Sequence, residues 1–244
     1  MSLKAARALA AAAGLNVQAV VQTQALAGSI PRLADLAHDW PSLLLFGSTG
    51  PALWDAVHRS QPDPDDPIDR FVDSVLADVV DALDGRARVL WPDPGARPPF
   101  PISLAGRVAG WGSRSRMGLT IHPRHGLWVG YRGAVLLADP APDDREPATS
   151  SPCPACPAPC VTGCPVGAVG GPDGLDVVAC FTERLRPGAA CNTACLARAA
   201  CPEGDPRSRY SDAQVAHHQA FANRAFGPAV LAASPSVPAA WKED

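Results

Sequence analysis

The sequence predicts an α+β protein in two parts. A larger domain of mixed helices and strands covers residues 1–148, a small cysteine-built domain covers 149–230, and a flexible tail follows at 231–244. Three observations lead there. Helical and strand-like hydrophobic periods alternate through residues 3–138. All eight cysteines of the 244-residue chain lie between Cys153 and Cys201. Between these stretches, residues 139–152 have the Pro-, Asp- and Ser-rich composition of a linker.

Residues 3–14 read as a helix, and 16–23 alternate as a strand does. Residues 41–46 read as a short buried strand, because Leu43, Leu44, Leu45 and Phe46 form an unbroken apolar run. The Gly-Ser-Thr-Gly turn at 47–50 has no phosphate-loop pattern and reads as a strand-to-helix turn. The helix at 51–60 opens on a proline, which suits a first helical position. Residues 61–66 form a loop ending in Asp66, the expected N-cap of a helix that starts at Pro67. Ile68, Phe71, Val72, Val75, Leu76, Val79, Val80 and Leu83 recur at helical spacing, and Gly85 supplies the stop. Asp69, Asp73, Asp78 and Asp81 fill the opposite, solvated face. A strand follows at 88–91, then an irregular proline-rich stretch at 92–101 and a short helix at 102–109. From Gly110 a glycine-rich loop leads to a strand near 118–122, a tight turn at 123–126 and a second strand at 128–138. The two strands read as a hairpin. Beyond the cysteines, 211–226 reads as a closing helix.

Composition narrows the function classes. A content of 47% hydrophobic and 18% charged residues suits a chain that buries a core. The net charge of −3, with no basic tract, gives no footprint for nucleic acid. No apolar run is long enough to span a bilayer. Lys4 and Arg7 precede an apolar stretch at 8–15 that loosely mimics a signal peptide. It runs straight into the strand at 16–23 with no clear cleavage site. The expected location is therefore the reducing cytoplasm, where clustered cysteines serve as metal ligands rather than disulfides.

The first four cysteines, Cys153, Cys156, Cys160 and Cys164, read C-x2-C-x3-C-x3-C-P. The second four, Cys180, Cys191, Cys195 and Cys201, are spaced more widely and also close on Cys-Pro. Two runs that each end this way match the layout for two [4Fe–4S] clusters, in which the last cysteine of each run crosses to the other cluster. By that rule Cys153, Cys156, Cys160 and Cys201 hold one cluster, and Cys180, Cys191, Cys195 and Cys164 the other. The usual first run has one residue fewer before its third cysteine, and the second run is irregular. Two all-cysteine zinc sites, a disulfide framework, or one intact cluster beside a degenerate site use the same residues.

Two stretches together resemble a known family. A cluster run, a lone Cys180 after what reads as a short strand at 175–179, and a closing C-x3-C…C-P run look like the C-terminal half of epoxyqueuosine reductase. The upstream positions His122, Pro123, Gly126, Trp128, Arg132 and Leu137 resemble that enzyme and, more closely, the cobalamin-processing chaperones. The resemblance implies a nitroreductase-like α+β domain followed by a ferredoxin-like domain, with a corrinoid between them and electrons passing from cluster to cobalt. It also implies an acidic proton donor before the glycine-rich loop. Here residues 95–102 hold no carboxylate, and Asp93 lies outside the motif, so no catalytic residue is assigned.

Three functions fit: a ferredoxin-type electron carrier serving a redox partner protein or cofactor, a cobalamin-dependent reductase or cobalamin-processing protein, and a binding protein stabilised by zinc or a structural cluster. The candidate cofactor contacts are His122, Arg132, Trp128 and Arg116. Each has an ordinary reading beside it: backbone hydrogen bonding for His122 and His125, surface solvation or an ion pair for Arg114, Arg116 and Arg132, and core packing for Trp128. His217 and His218, on the closing helix, are not read as ligands.

Overall fold

The computed structural model describes residues 2–60, 66–90, 100–171 and 174–233. The expected loop at 61–65, the proline-rich stretch at 92–99 with Asp93, and the tail beyond 233 lie outside them.

A four-stranded antiparallel sheet of order β1-β2-β6-β3 organises the first 138 residues. Its strands are β1 (Val17–Gln22), β2 (Ser42–Ser48), β3 (Ala87–Leu90) and β6 (Gly130–Leu137). Between β3 and β6 lie two short strands, β4 (Ser113–Arg114) and β5 (Thr120–Ile121), which pair with each other. β2 is buried at every position because helices cover both faces of the sheet, which explains its unbroken apolar run. Its side chains alternate between two cores. Leu44 and Phe46 meet α1 (Leu3–Ala12), α3 (Ala52–Arg59) and α4 (Pro67–Asp81). Leu43 and Leu45 meet α2 (Thr23–Ala27), α5 (Ile102–Val108) and Trp111.

The periodicity of α4 is realised. Ile68, Val72, Val75, Leu76 and Val79 are buried, Phe71, Val80 and Leu83 pack at the margin, and the four aspartates face solvent. Gly133 on β6 has no room for a side chain, since a Cβ there would lie 2.4 Å from Leu76 Cδ1.

Three local expectations are corrected. Asp66 precedes α4 but makes no side-chain cap, because its backbone is left-handed at φ 78°. The strand near 118–122 does not form a hairpin with β6. β5 pairs with β4, and β6 instead sits between β2 and β3, a long-range pairing that local turn signals cannot specify. The turn between them is closed by an isolated bridge, His122 to Gly126. The strand expected at 175–179 stops at Leu175, so Cys180 does not follow it directly. It lies inside a helix, α7 (Val177–Leu185), which starts there because the Asp176 side chain accepts from Ala179 N.

Residues 139–152 are irregular, as their composition suggests, yet they are tied down. Asp144 exchanges hydrogen bonds with the edge strand, accepting from Val20 N at 2.6 Å and donating its own N–H to Val20 O at 3.1 Å. Its carboxylate also pairs with Arg7. Ala141 N donates to Ser42 Oγ at 2.9 Å. The segment thus occupies hydrogen-bonding groups that an edge strand leaves open.

The cysteine-bearing part is built from short pieces: α6 (Pro159–Thr162), β7 (Val169–Gly171), β8 (Gly174–Leu175), α7, and α8 (Leu196–Ala199). The long α9 (Asp212–Ala233) closes it. Met117, Ile121 and Leu127 reach across to pack with Cys160, Val169, Ala197 and Cys201 in a third core. Among the described residues no helix is long and apolar enough to cross a membrane.

Candidate functional site

Each Cys-Pro step is placed by a short helix. Pro159 starts α6 after Ala158, whose φ of 58° is left-handed, and this sets Cys160 on the helix with Cys164 just beyond its end. α8 does the same for Cys201. The two helices approach closely at Gly163, where a Cβ would lie 3.2 Å from Ala200 Cβ.

No cysteine is in a disulfide. Burial and neighbouring thiols raise the pKa of four of the cysteines. Burial raises the Cys160 pKa, helped by Cys153 and Cys156, and raises that of Cys201, helped by Cys160 and Cys153. Burial likewise pushes Cys180 up to about 11, with Cys195, Cys164 and Cys191 adding to the effect. Cys191 is raised by burial and by Cys195, Glu183 and Cys164. Cys201 is thus grouped with thiols of the first run, while Cys164 and Cys195 both pack at the margin of the core that holds Cys160 and Cys201. A single cavity is lined by Cys153, Cys156, Cys160 and Cys201.

Buried thiols of raised pKa stay protonated at neutral pH unless a metal displaces the proton. Among the described residues no three His, Cys, Asp or Glu side chains are close enough to ligate one metal ion. The donor set suits a larger group. It consists of soft thiols at the walls of a mostly apolar cage, with Ala158 N donating to Cys156 Sγ at 3.4 Å.

Three arginines border these thiols. Arg116 Nη2 donates to Cys153 O at 2.9 Å, while its Nε is buried without an acceptor. Burial lowers the Arg184 pKa, partly offset by Cys180, Cys195 and Cys191. Burial also lowers that of Arg198, offset by Tyr210 and Cys195.

Arg198 leads to the second feature of the site. Its Nε and Nη2 both donate to Leu127 O, at 3.1 and 2.7 Å. Its guanidinium lies 4.3 Å from the Trp128 ring centre and 5.0 Å from that of Tyr210. Beside it, Arg132 Nε donates to Ser48 Oγ at 2.9 Å, and its Nη2 lies 3.5 Å from His218 Nε2. Arg132, Arg198, Tyr210, His218 and Gly130 line one cleft of about 290 Å³.

His122 sits elsewhere, in a pocket of about 350 Å³ with Trp111, His125 and Glu146. It is 2% exposed, and Arg124 N donates to its Nδ1 at 3.1 Å, which leaves the proton on Nε2. Burial, His125 and Arg124 lower its pKa to about 4. His125 Nδ1 lies 2.8 Å from Ser208 Oγ. The four residues read as cofactor contacts therefore do not share one cavity. Arg132 lines the cleft, and Trp128 is buried behind Arg198 with its Nε1 unpartnered. His122 faces a separate pocket, and Arg116 lines a groove of about 670 Å³ beside Cys153. Sequence reasoning missed Arg198, Tyr210 and Ser48. No spacing marks them: Ser48 meets Arg132 through the pairing of β2 with β6, and Arg198 and Tyr210 join them only through the chain around α8 and the start of α9.

No family model and no curated protein matches the sequence. Solved structures do. Epoxyqueuosine reductase from Bacillus subtilis matches with a TM-score of 0.51 at 12% identity, over 84% of this chain and 66% of that one. The chain resembles epoxyqueuosine reductase in fold. The Streptococcus thermophilus enzyme matches with a TM-score of 0.49 at 10% identity, over 84% of this chain and 68% of that one. The B12-trafficking protein CblC from C. elegans matches with a TM-score of 0.42 at 16% identity, over 61% and 74%. This chain thus spans about two thirds of the length of the reductases.

Proposed function

We propose that the protein is an iron–sulfur electron carrier whose segment 149–230 is a ferredoxin-like domain for two [4Fe–4S] clusters, following a nitroreductase-like domain at 1–148. One observation supports this reading: Cys201, from the second run, lines one cavity with Cys153, Cys156 and Cys160 of the first. Cys153, Cys156, Cys160 and Cys201 would hold one cluster, and Cys164, Cys180, Cys191 and Cys195 the other. Bound there, the clusters would supply one-electron transfer.

The protein's own residues tune that chemistry. Met117, Ile121 and Leu127 keep water from the first set. Arg184 and Arg198 hold positive charge beside the second, which favours its more negative, reduced state. Electrons would therefore collect at the second set, next to the Arg132 cleft. Anaerobically purified protein is expected to hold about eight iron atoms per chain and to absorb broadly near ~400 nm, bleaching on reduction. A colourless, zinc-loaded protein would overturn the reading.

A second reading makes a corrinoid the electron acceptor. It is favoured by the fold likeness to epoxyqueuosine reductase and by the motif at 122–137, whose resemblance to the cobalamin-processing chaperones implies a corrinoid. Titration with cobalamin tests it through the base-off spectral change. No change at saturation leaves a partner protein as the acceptor.

A further inference from the structure

The Arg132 cleft has chemistry of its own. Among the described residues neither Arg132 nor Arg198 forms an ion pair. Each guanidinium carries five N–H donors and directs those it uses at uncharged partners, Ser48 Oγ and the His218 ring for Arg132, Leu127 O and the Tyr210 hydroxyl for Arg198. Burying a cation without a counter-charge is costly, and Arg132 adds to the burial that disfavours the charge on Arg198. Burial, Arg132, His217 and Arg198 together push the His218 pKa down to about 3, so the imidazole stays neutral and adds no further charge. Asp69 on α4 feels Arg132 but makes no ion pair with it.

The floor of the cleft is a glycine for a spatial reason. A Cβ at Gly130 would lie 2.8 Å from both Arg132 Nη2 and Tyr210 Oη. Two cations, an aromatic wall and a bare backbone thus border an open cleft of about 290 Å³, which admits a small group.

The geometry points to a phosphate-class oxyanion site, gripped by Arg132 from β6 and by Arg198 from α8. The guanidinium fork matches a tetrahedral oxyanion, and an anion placed there would relieve the repulsion between the two cations. Because the arginines come from opposite halves of the chain, an anion would also pin the halves together. The phosphoryl group arrives either as inorganic phosphate or as part of a larger ligand.

Isothermal titration of the full-length protein, purified anaerobically and with its iron content measured, tests this with inorganic phosphate and with a nucleoside 5′-monophosphate. Saturable one-to-one binding is expected. Arg132→Gln should weaken it about 10- to 100-fold, the scale of losing one charged hydrogen-bonding group. Gly130→Ala should weaken it too, since the added methyl displaces only the tips of Arg132 and Tyr210 and leaves the fold intact. Equal affinity for the two ligands identifies a free-oxyanion site, and tighter binding of the nucleotide identifies a handle for a larger ligand. Absence of saturable heat with either ligand up to about 10 mM, or wild-type affinity in Arg132→Gln, overturns the assignment. Because iron is counted on the same samples, loss of the oxyanion site and failure of the cluster reading are separable.

Discussion

His122 makes the fold sensitive to acid in a way that can be isolated. Its ring is 2% exposed and accepts a hydrogen bond from Arg124 N on Nδ1, so protonation would remove that bond and bury a charge. Its folded pKa is about 4, against the ordinary value of 6.5 for an exposed histidine. The unfolded chain therefore binds a proton at higher pH than the native one does. Stability due to this residue is fully present above pH 6.5, declines as the pH falls, and is lost below about pH 4. At about 1.4 kcal/mol per pH unit, the full loss is at most about 3.5 kcal/mol. Gln is neutral throughout and retains an acceptor, so His122→Gln lacks this dependence. Urea unfolding of wild type and His122→Gln, run anaerobically between pH 7.5 and pH 4.5, measures it. Histidines remote from His122 and the metal centres contribute to both chains and drop out of the difference, and a His125→Gln background removes the histidine in contact with it. The variant is expected to be less stable at pH 7 and to close most of that gap by pH 4.5. Parallel slopes would refute the account of His122.

Three further outcomes follow from particular contacts. Leu76→Ala in the fully buried core beside Gly133 should cost about 2–5 kcal/mol, read as a lower urea midpoint with unchanged iron content. Asp144→Ala removes the acceptor of Val20 N and the partner of Arg7. It should cost about 1–3 kcal/mol and speed proteolysis within 139–152, checked by denaturation and limited trypsin digestion. Arg184→Gln should lower the reduction potential of the second cluster by tens of millivolts while leaving the first in place, as seen by potentiometric titration with electron paramagnetic resonance.

How much of this is legible in the sequence depends on the range of the interaction. β2 and α4 can be read directly, because an unbroken run of leucines and a helical stripe of valines report burial within their own elements. The two Cys-Pro runs are legible for the same reason. Pairings between distant segments are not. Nothing in 118–138 says that β6 joins β2 and β3 rather than β5, since either partner satisfies its alternation. Val177 and Val178 look β-prone and suggest a strand before Cys180, while the Asp176 cap that starts α7 outweighs them. α2 merges with the preceding strand in the sequence pattern, as it has no side-chain cap to mark its start. The Arg132 cleft is half visible. Arg132 stands out within a motif, whereas Arg198 and Tyr210 become its neighbours only through α8 and α9.

The crossing of Cys164 and Cys201 is the claim on which the electron-transfer account rests, and iron counts in paired variants test it directly. Cys164→Ala and Cys180→Ala should each remove about half the iron, and the double variant should remove no more than either alone, because both cysteines serve one cluster. Cys164→Ala combined with Cys153→Ala should remove nearly all of it. The opposite pattern, with the Cys164 and Cys153 pair losing only half and the Cys164 and Cys180 pair losing everything, would show that each run keeps its own cluster and would contradict the account.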